Sequence, residues 1–181
     1  MVVLLAELFG VAVLLVLIYL LGRPIVHGAI YFPTSPRAIR EMLKLADPKP
    51  GERVVDLGSG DGRILIAFAE RGATAVGYEI NPLLVRQSQR AIARAGFPAN
   101  ASDTAGGAVV YWESFWRADL SQFDTVIVYG IPYVMRDLQR KLERELRPGT
   151  KIISNAFKLP EWTPVASERK IFLYVRPEKF S

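Results

Sequence analysis

Two carboxylates, Asp56 and Asp61, bracket the glycines of the run Val54-Val55-Asp56-Leu57-Gly58-Ser59-Gly60-Asp61-Gly62. Glycine reaches positive φ at little cost, so Gly58, Gly60 and Gly62 let the chain turn sharply and bring bare backbone against a ligand. The apolar residues before the turn read as a strand, and Arg63-Ile64-Leu65-Ile66-Ala67-Phe68-Ala69 as a helix opening after it. Any ligand then sits at a helix N-terminus, beyond the carboxyl end of a strand. The third glycine of the dinucleotide fingerprint G-x-G-x-x-G would fall on Arg63, so that fingerprint is not met. Two carboxylates within several Å of a pyrophosphate would repel it by on the order of several kcal/mol at an effective dielectric constant near 20. The same Coulomb interaction attracts a cation. About twenty residues past the turn, Ala75-Val76-Gly77-Tyr78-Glu79 is a second apolar strand ending in an acid, placed to accept a pair of hydroxyls.

A ligand that carries a sulfonium, an ammonium and ribose hydroxyls but no phosphate meets these demands, and S-adenosylmethionine is such a ligand. Asp56-Leu57-Gly58-Ser59-Gly60-Asp61-Gly62 resembles the first motif of class I S-adenosylmethionine-dependent methyltransferases, and Glu79 the ribose-binding acid of their second. The resemblance narrows further. Tyr31-Phe32-Pro33-Thr34-Ser35-Pro36-Arg37, Asp56–Arg63, Gly77-Tyr78-Glu79-Ile80-Asn81-Pro82, Leu84-Val85, Ser88 and Lys158-Leu159-Pro160-Glu161-Trp162 are together similar to the membrane-anchored lysine methyltransferases of the ATP synthase c subunit and the adenine nucleotide translocase, with their prokaryotic relatives. That likeness implies methyl transfer to a lysine ε-amine of a small integral membrane protein. It also implies cofactor contacts from Asp56, Gly58, Ser59, Gly60, Asp61, Gly62, Glu79, Ile80 and Asn81, with Thr34 in a lid segment. Adenine would meet the Ser114 hydroxyl and the Phe115 backbone, although the family carries an Asp where Ser114 stands. Trp116 reads as core.

After the fourth strand comes Tyr129-Gly130-Ile131-Pro132-Tyr133. Exocyclic-amine methyltransferases place an Asp/Asn-Pro-Pro-aromatic motif there, and the Asp/Asn is missing, which speaks against a nucleic-acid base amine. Tyr129, Pro132 and Tyr133 are the candidates for the methyl-transfer channel; packing of the two tyrosines at the sheet edge is the alternative.

These residues need a scaffold that aligns several strand ends. Apolar strands near 53–57, 74–79, 108–112, 124–129 and 150–156 alternate with helical patterns near 63–71, 82–95 and 133–146, which predicts a parallel sheet with right-handed crossovers. Strands near 163–168 and 170–176 complete it as an antiparallel hairpin, giving a Rossmann-like α/β domain with a mostly parallel seven-stranded sheet. Ser35-Pro36 and Asn81-Pro82 read as helix starts, and Ile39, Met42, Leu43 and Ala46 repeat at helical spacing over about 36–46. Along 136–147, Leu138, Leu142 and Leu146 form a buried stripe, and a solvated face accounts for the charges between them.

In 181 residues there is room for one such domain and an appendage. Residues 2–21 are almost wholly apolar and long enough, at about 1.5 Å per residue, to cross a ~30 Å hydrocarbon core. No basic region precedes them, so they read as an uncleaved anchor, with Glu7 as the one acid within it. The organisation expected is an anchor over 1–22, a connector and helix over 23–50 and the catalytic domain over 51–181. Arg23, Arg37, Arg40 and Lys44 put that domain on the cytoplasmic side of the cell membrane as a single-pass protein. A net charge of +5 suits anionic lipid or nucleic acid without choosing between them, and the anchor favours the bilayer as partner. The absence of cysteine excludes a disulfide framework, a thiolate metal site and a cysteine nucleophile. The single histidine, His27, lies in the connector. Methylation of a lipid headgroup or quinone, a non-catalytic cofactor-binding adaptor and RNA methylation stay open beside the lysine reading.

Overall fold

The computed structural model describes residues 7, 9–14, 32–97, 106–130 and 132–178, and the chain divides into two units, Met1–Tyr31 and Phe32–Ser181. In the first unit residues 9–14 are helical. Among the described residues no helix is long and apolar enough to cross a membrane. The stretch read as an anchor, with Tyr31 and His27, lies largely outside the described residues.

The second unit is one seven-stranded sheet in the order β3-β2-β1-β4-β5-β7-β6. Its strands are β1 Arg53–Leu57, β2 Thr74–Glu79, β3 Ala108–Trp112, β4 Thr125–Val128, β5 Lys151–Asn155, β6 Ala166–Glu168 and β7 Ile171–Val175. The helices are α1 Pro36–Ala46, α2 Arg63–Ala69, α3 Pro82–Arg94 and α4 Pro132–Glu145. Strands β1 to β5 pair in parallel, while β7 runs antiparallel to both β5 and β6. Chain order reverses between β1 and β4, the point at which a doubly wound sheet opens a crevice at its carboxyl edge.

The central strands are buried on both faces, as their apolar runs require. One face covers Ile39, Met42 and Leu43 of α1, Ile64, Leu65 and Phe68 of α2, and Val85 and Ile92 of α3. The other covers Met135, Leu138 and Leu142 of α4 together with Leu120, Phe123, Leu159 and Tyr174. Helix starts follow the predicted chemistry. Ser35 accepts the Ala38 N–H at 3.2 Å and Asn81 that of Leu83 at 2.9 Å, each followed by proline in the first turn.

Two expectations need correction. Trp116 is 37% exposed and lies against Phe115, with ring centroids 4.8 Å apart, so it is not core. Lys141 does not belong to a solvated face. It is buried, donating to Glu145 at 2.7 Å and to the Ala118 carbonyl at 2.7 Å, because it extends from the leucine-lined side of α4 toward the loop after β3. The segment Lys158–Trp162 docks on the same helix: Gln139 receives the Glu161 N–H at 2.9 Å and Glu143 the Trp162 indole N–H at 3.0 Å.

Candidate active site

The glycine turn lies on the carboxyl ends of β1 and β2. Gly58 and Ser59 both donate their N–H to the Tyr78 carbonyl, at 2.9 and 3.1 Å, so the turn is laced to the second strand. Gly58, Gly60 and Gly62 have φ of +87°, +55° and +80°. A Cβ on Gly58 would meet nothing within 4 Å, so its backbone faces open space and the glycine is required by conformation alone. Gly62 is required twice, since a Cβ there would collide with the fully buried Ser88 hydroxyl on α3. Ser59 is buried beneath the turn and fills the space left by the missing side chain of Gly77, where a Cβ would come within 2.5 Å of its Oγ.

Asp56 sits in the middle of this arrangement, 3% exposed. Its carboxyl group makes no hydrogen bond to a described residue. Burial, with the Glu79 and Asp61 carboxylates nearby, pushes its pKa up from 3.8 to about 8. Glu79 is buried at the end of β2, and its two oxygens accept the N–H groups of Gly60 at 3.0 Å and Asn81 at 2.8 Å. The acid thus stiffens the turn while keeping lone pairs for hydroxyls. Ile80 passes its carbonyl to the Trp112 indole N–H at 3.0 Å, which ties β3 to the same corner.

Asp61 departs from the expectation of a carboxylate facing a ligand cation. Arg63 grips it in a forked ion pair, with Nε 2.9 Å from Oδ1 and Nη2 2.6 Å from Oδ2, because the first residue of α2 folds back over the turn. The same guanidinium donates through Nη1 to the Thr34 carbonyl at 3.0 Å, and Thr34 is itself buried. Arg63 therefore joins the segment before α1 to the glycine turn. The sequence places Arg63 in the run Asp56–Arg63 that carries the family likeness but gives it no role of its own, its local signal being an arginine two positions after an acid at a helix start.

On the acceptor side Tyr129 meets Phe32 edge to face, with ring centroids 6.5 Å apart, so Phe32 and Thr34 both lie over the carboxyl edge of the sheet. Pro132 and Tyr133 open α4, and Tyr133 is 67% exposed, which removes packing at the sheet edge as its reason for being there. Ile131 lies outside the described residues. Ser114 uses its carbonyl to accept the Arg117 N–H at 2.9 Å, and Phe115 packs on the α4 face of the sheet. The structure thus brings Asp56, Gly58, Ser59, Gly60, Asp61, Gly62, Glu79, Ile80, Asn81, Thr34 and Tyr129 to one edge, with Pro132 and Tyr133 at the mouth of β4.

A buried carboxyl group with no hydrogen bond among the described residues, beside an open glycine backbone, fits a cationic cofactor, since a positive charge there relieves the repulsion among Asp56, Glu79 and Asp61. With the strand order and the antiparallel β7, this site defines a class I Rossmann-like methyltransferase, the S-adenosylmethionine-dependent class. The family model described as ANTKMT methyltransferase domain matches residues 56–166, and the chain belongs to that family. The human lysine N-methyltransferase named for the ATP synthase c subunit is 38% identical over 156 residues, covering 83% of this chain and 64% of that protein. The chain therefore spans somewhat under two thirds of the length of that relative. A protein-lysine N-methyltransferase of Saccharolobus islandicus (strain REY15A) is 35% identical over 136 residues, covering 74% and 80%. Among solved structures, an RNA methyltransferase from Salinibacter ruber in complex with S-adenosyl-L-homocysteine superposes with a TM-score of 0.74 at 32% identity, covering 83% of this chain and 97% of that one.

Proposed function

We propose that the protein transfers methyl groups from S-adenosylmethionine to a lysine ε-amine of a small integral membrane protein. The observation that carries the reading is Asp56, a buried acid with no hydrogen bond among the described residues, held beside two further acids and a bare glycine backbone. Relatives named for lysine methylation of the ATP synthase c subunit and of the adenine nucleotide translocase support the acceptor class. In this reading Asp56 and the turn Gly58–Gly62 hold the charged end of the cofactor, Glu79 its ribose, Ile80 and Asn81 the backbone alongside it, and Ser114 and Phe115 its adenine. The cofactor supplies an electrophilic methyl group on a sulfonium.

The protein's own part is alignment and dryness. Thr34 and Phe32 cover the edge, and the Tyr129 hydroxyl orients an incoming amine lone pair along the line of displacement. An ammonium has no lone pair, so the lysine must enter as the free amine, and removal from water favours that form. Pro132 and the exposed Tyr133 form the entrance. The apolar residues 2–21 serve as a single-pass anchor in the cell membrane, with the domain on the cytoplasmic side. A connector of roughly 14 residues reaches at most about 45 Å, so acceptor lysines lie on loops close to the bilayer.

The test uses membranes carrying the natural chain or Asp56→Ala, incubated with methyl-labelled S-adenosylmethionine, delipidated and hydrolysed. Methyl-lysine formed only with the natural chain is the expected result. Label confined to lipid or quinone, or recovered only in RNA, would overturn the acceptor assignment.

A further inference from the structure

The strand that normally supplies an amide or carboxylate to an amine acceptor, β4, continues here into Tyr129-Gly130 and offers neither. Its neighbour does. β5 reads Lys151-Ile152-Ile153-Ser154-Asn155, and Asn155 closes it at the same edge of the sheet. Leu57 lies opposite Val128 and Val128 opposite Ser154, so Gly58, Tyr129 and Asn155 each follow this last shared row at the carboxyl ends of β1, β4 and β5. Adjacent parallel strands are about 4.8 Å apart, so Asn155 ends the strand next to the one that leads into Tyr129, two strands from the glycine turn. Side chains alternate along a strand. Ile127 and Ile153, two residues earlier on each strand, pack in the core under α1 and α2, and Asp56 is in register with Ile127. The alternation thus carries Asp56 and Asn155 to one face, and Tyr129 follows Val128 directly after β4.

Asn155 is 7% exposed, and its carboxamide makes no hydrogen bond to any described residue. The carboxamide keeps contact with solvent, so it stands open to an incoming hydrogen-bond partner at the end of the strand. The next residue, Ala156, is held at φ +70°, a left-handed conformation unfavourable for alanine, and is fixed there by its N–H to the Lys170 carbonyl at 2.8 Å. The backbone is thereby bent away directly after the amide, which leaves the amide at the end of the strand.

We infer that Asn155 is a catalytic residue that receives the acceptor amine: its Oδ1 takes a hydrogen bond from the lysine N–H and so aims the nitrogen lone pair, in place of the missing Asp/Asn after β4. The inference rests on the lysine reading above. In the step itself the nitrogen lone pair forms the new C–N bond and the C–S pair returns to sulfur. The methylated nitrogen then loses a proton to water.

The experiment measures initial rates of methyl-lysine formation in membranes with the full chain, at saturating methyl-labelled S-adenosylmethionine, from pH 6.5 to 9.5. Asn155→Ala should lower the rate at least tenfold while affinity for S-adenosylhomocysteine, by calorimetry, stays within about twofold. Asn155→Asp keeps an acceptor oxygen and should recover rate at high pH. Its alkaline rise should move upward, because a carboxylate beside the amine holds the ammonium form. A merely structural residue would not produce that shift. An Asn155→Ala rate equal to that of the natural chain, parallel loss of cofactor affinity, or an unshifted Asn155→Asp profile would overturn the role of Asn155. Absence of methyl-lysine with the natural chain would overturn the lysine reading itself, and the inference with it.

Discussion

Replacing Asp56 with asparagine should make the empty protein more stable and less able to bind its cofactor, and the two effects should share one pH dependence. Burial and two neighbouring carboxylates raise the Asp56 pKa from 3.8 to about 8. Between those values the native state keeps a proton that the unfolded chain has released. Stability therefore falls as pH rises from about 4 to about 8, at up to about 1.36 kcal/mol per pH unit, and levels off above. The ceiling on the loss is about 6 kcal/mol, and between pH 5 and pH 7 alone it is about 3 kcal/mol. The asparagine variant has no proton to keep. In urea unfolding of the full chain in mild detergent, the advantage of Asp56→Asn should grow by about 3 kcal/mol from pH 5 to pH 7, since other groups titrate alike in both proteins. A cationic ligand reverses the balance by favouring the carboxylate. At pH 7, S-adenosylmethionine binding should release close to one proton from the natural chain, seen in calorimetry as a dependence on buffer ionisation enthalpy, and none from Asp56→Asn, which should also bind far more weakly. Parallel stability profiles for the two proteins, or binding without proton release, would refute the argument that Asp56 is a buried acid awaiting a cation.

Gly62→Ala meets both a left-handed backbone and the Ser88 hydroxyl, and should cost about 2–4 kcal/mol in thermal or urea unfolding. Adding Ser88→Ala should return part of that loss and leave the backbone share of about 1–2 kcal/mol; a double variant no better than the single one would show that the contact does not matter. Arg63→Gln should release the Thr34 carbonyl and the Asp61 carboxylate together, lowering stability by about 1–3 kcal/mol and speeding amide exchange over residues 34–39. Arg63→Lys should not restore protection, because an ammonium cannot reproduce the fork; exchange indifferent to either change would count against the tether.

The frame of the site could be read before the structure because its demands are local. A turn of three glycines needs positive φ, an acid at the end of an apolar strand has few other reasons to be there, and Ser-Pro or Asn-Pro starts a helix by the geometry of the first turn. What escaped the sequence depends on where a side chain goes after the backbone is set. Arg63 looks like an ordinary first residue of a helix until the turn brings Asp61 and Thr34 within its reach. Lys141 carries the charge of a surface residue, and the loop carbonyls of Trp116 and Ala118 with the Glu145 carboxylate explain its burial. Asn155 ends a strand that also carries Lys151 and Ser154, so it does not stand out until the sheet order brings β5 next to β4. Ser88 is polar in a stripe with Val85 and Ile92, and only the fold shows that Gly62 leaves the room its hydroxyl occupies.

Strand β6 pairs with β7 and with no other strand, while β7 lies between it and β5. During synthesis residues 166–168 leave the ribosome before the segment that must be inserted beside them, so β5 waits with an open edge until residues 171–175 arrive. That edge is rich in buried side chains, Ile152 and Ile153 among them. A nascent chain halted near residue 165 would therefore display a template for intermolecular pairing next to an otherwise assembled sheet. The order of translation makes the closing hairpin the element that renders the domain safe from self-association, and premature termination there should yield aggregates instead of a folded fragment.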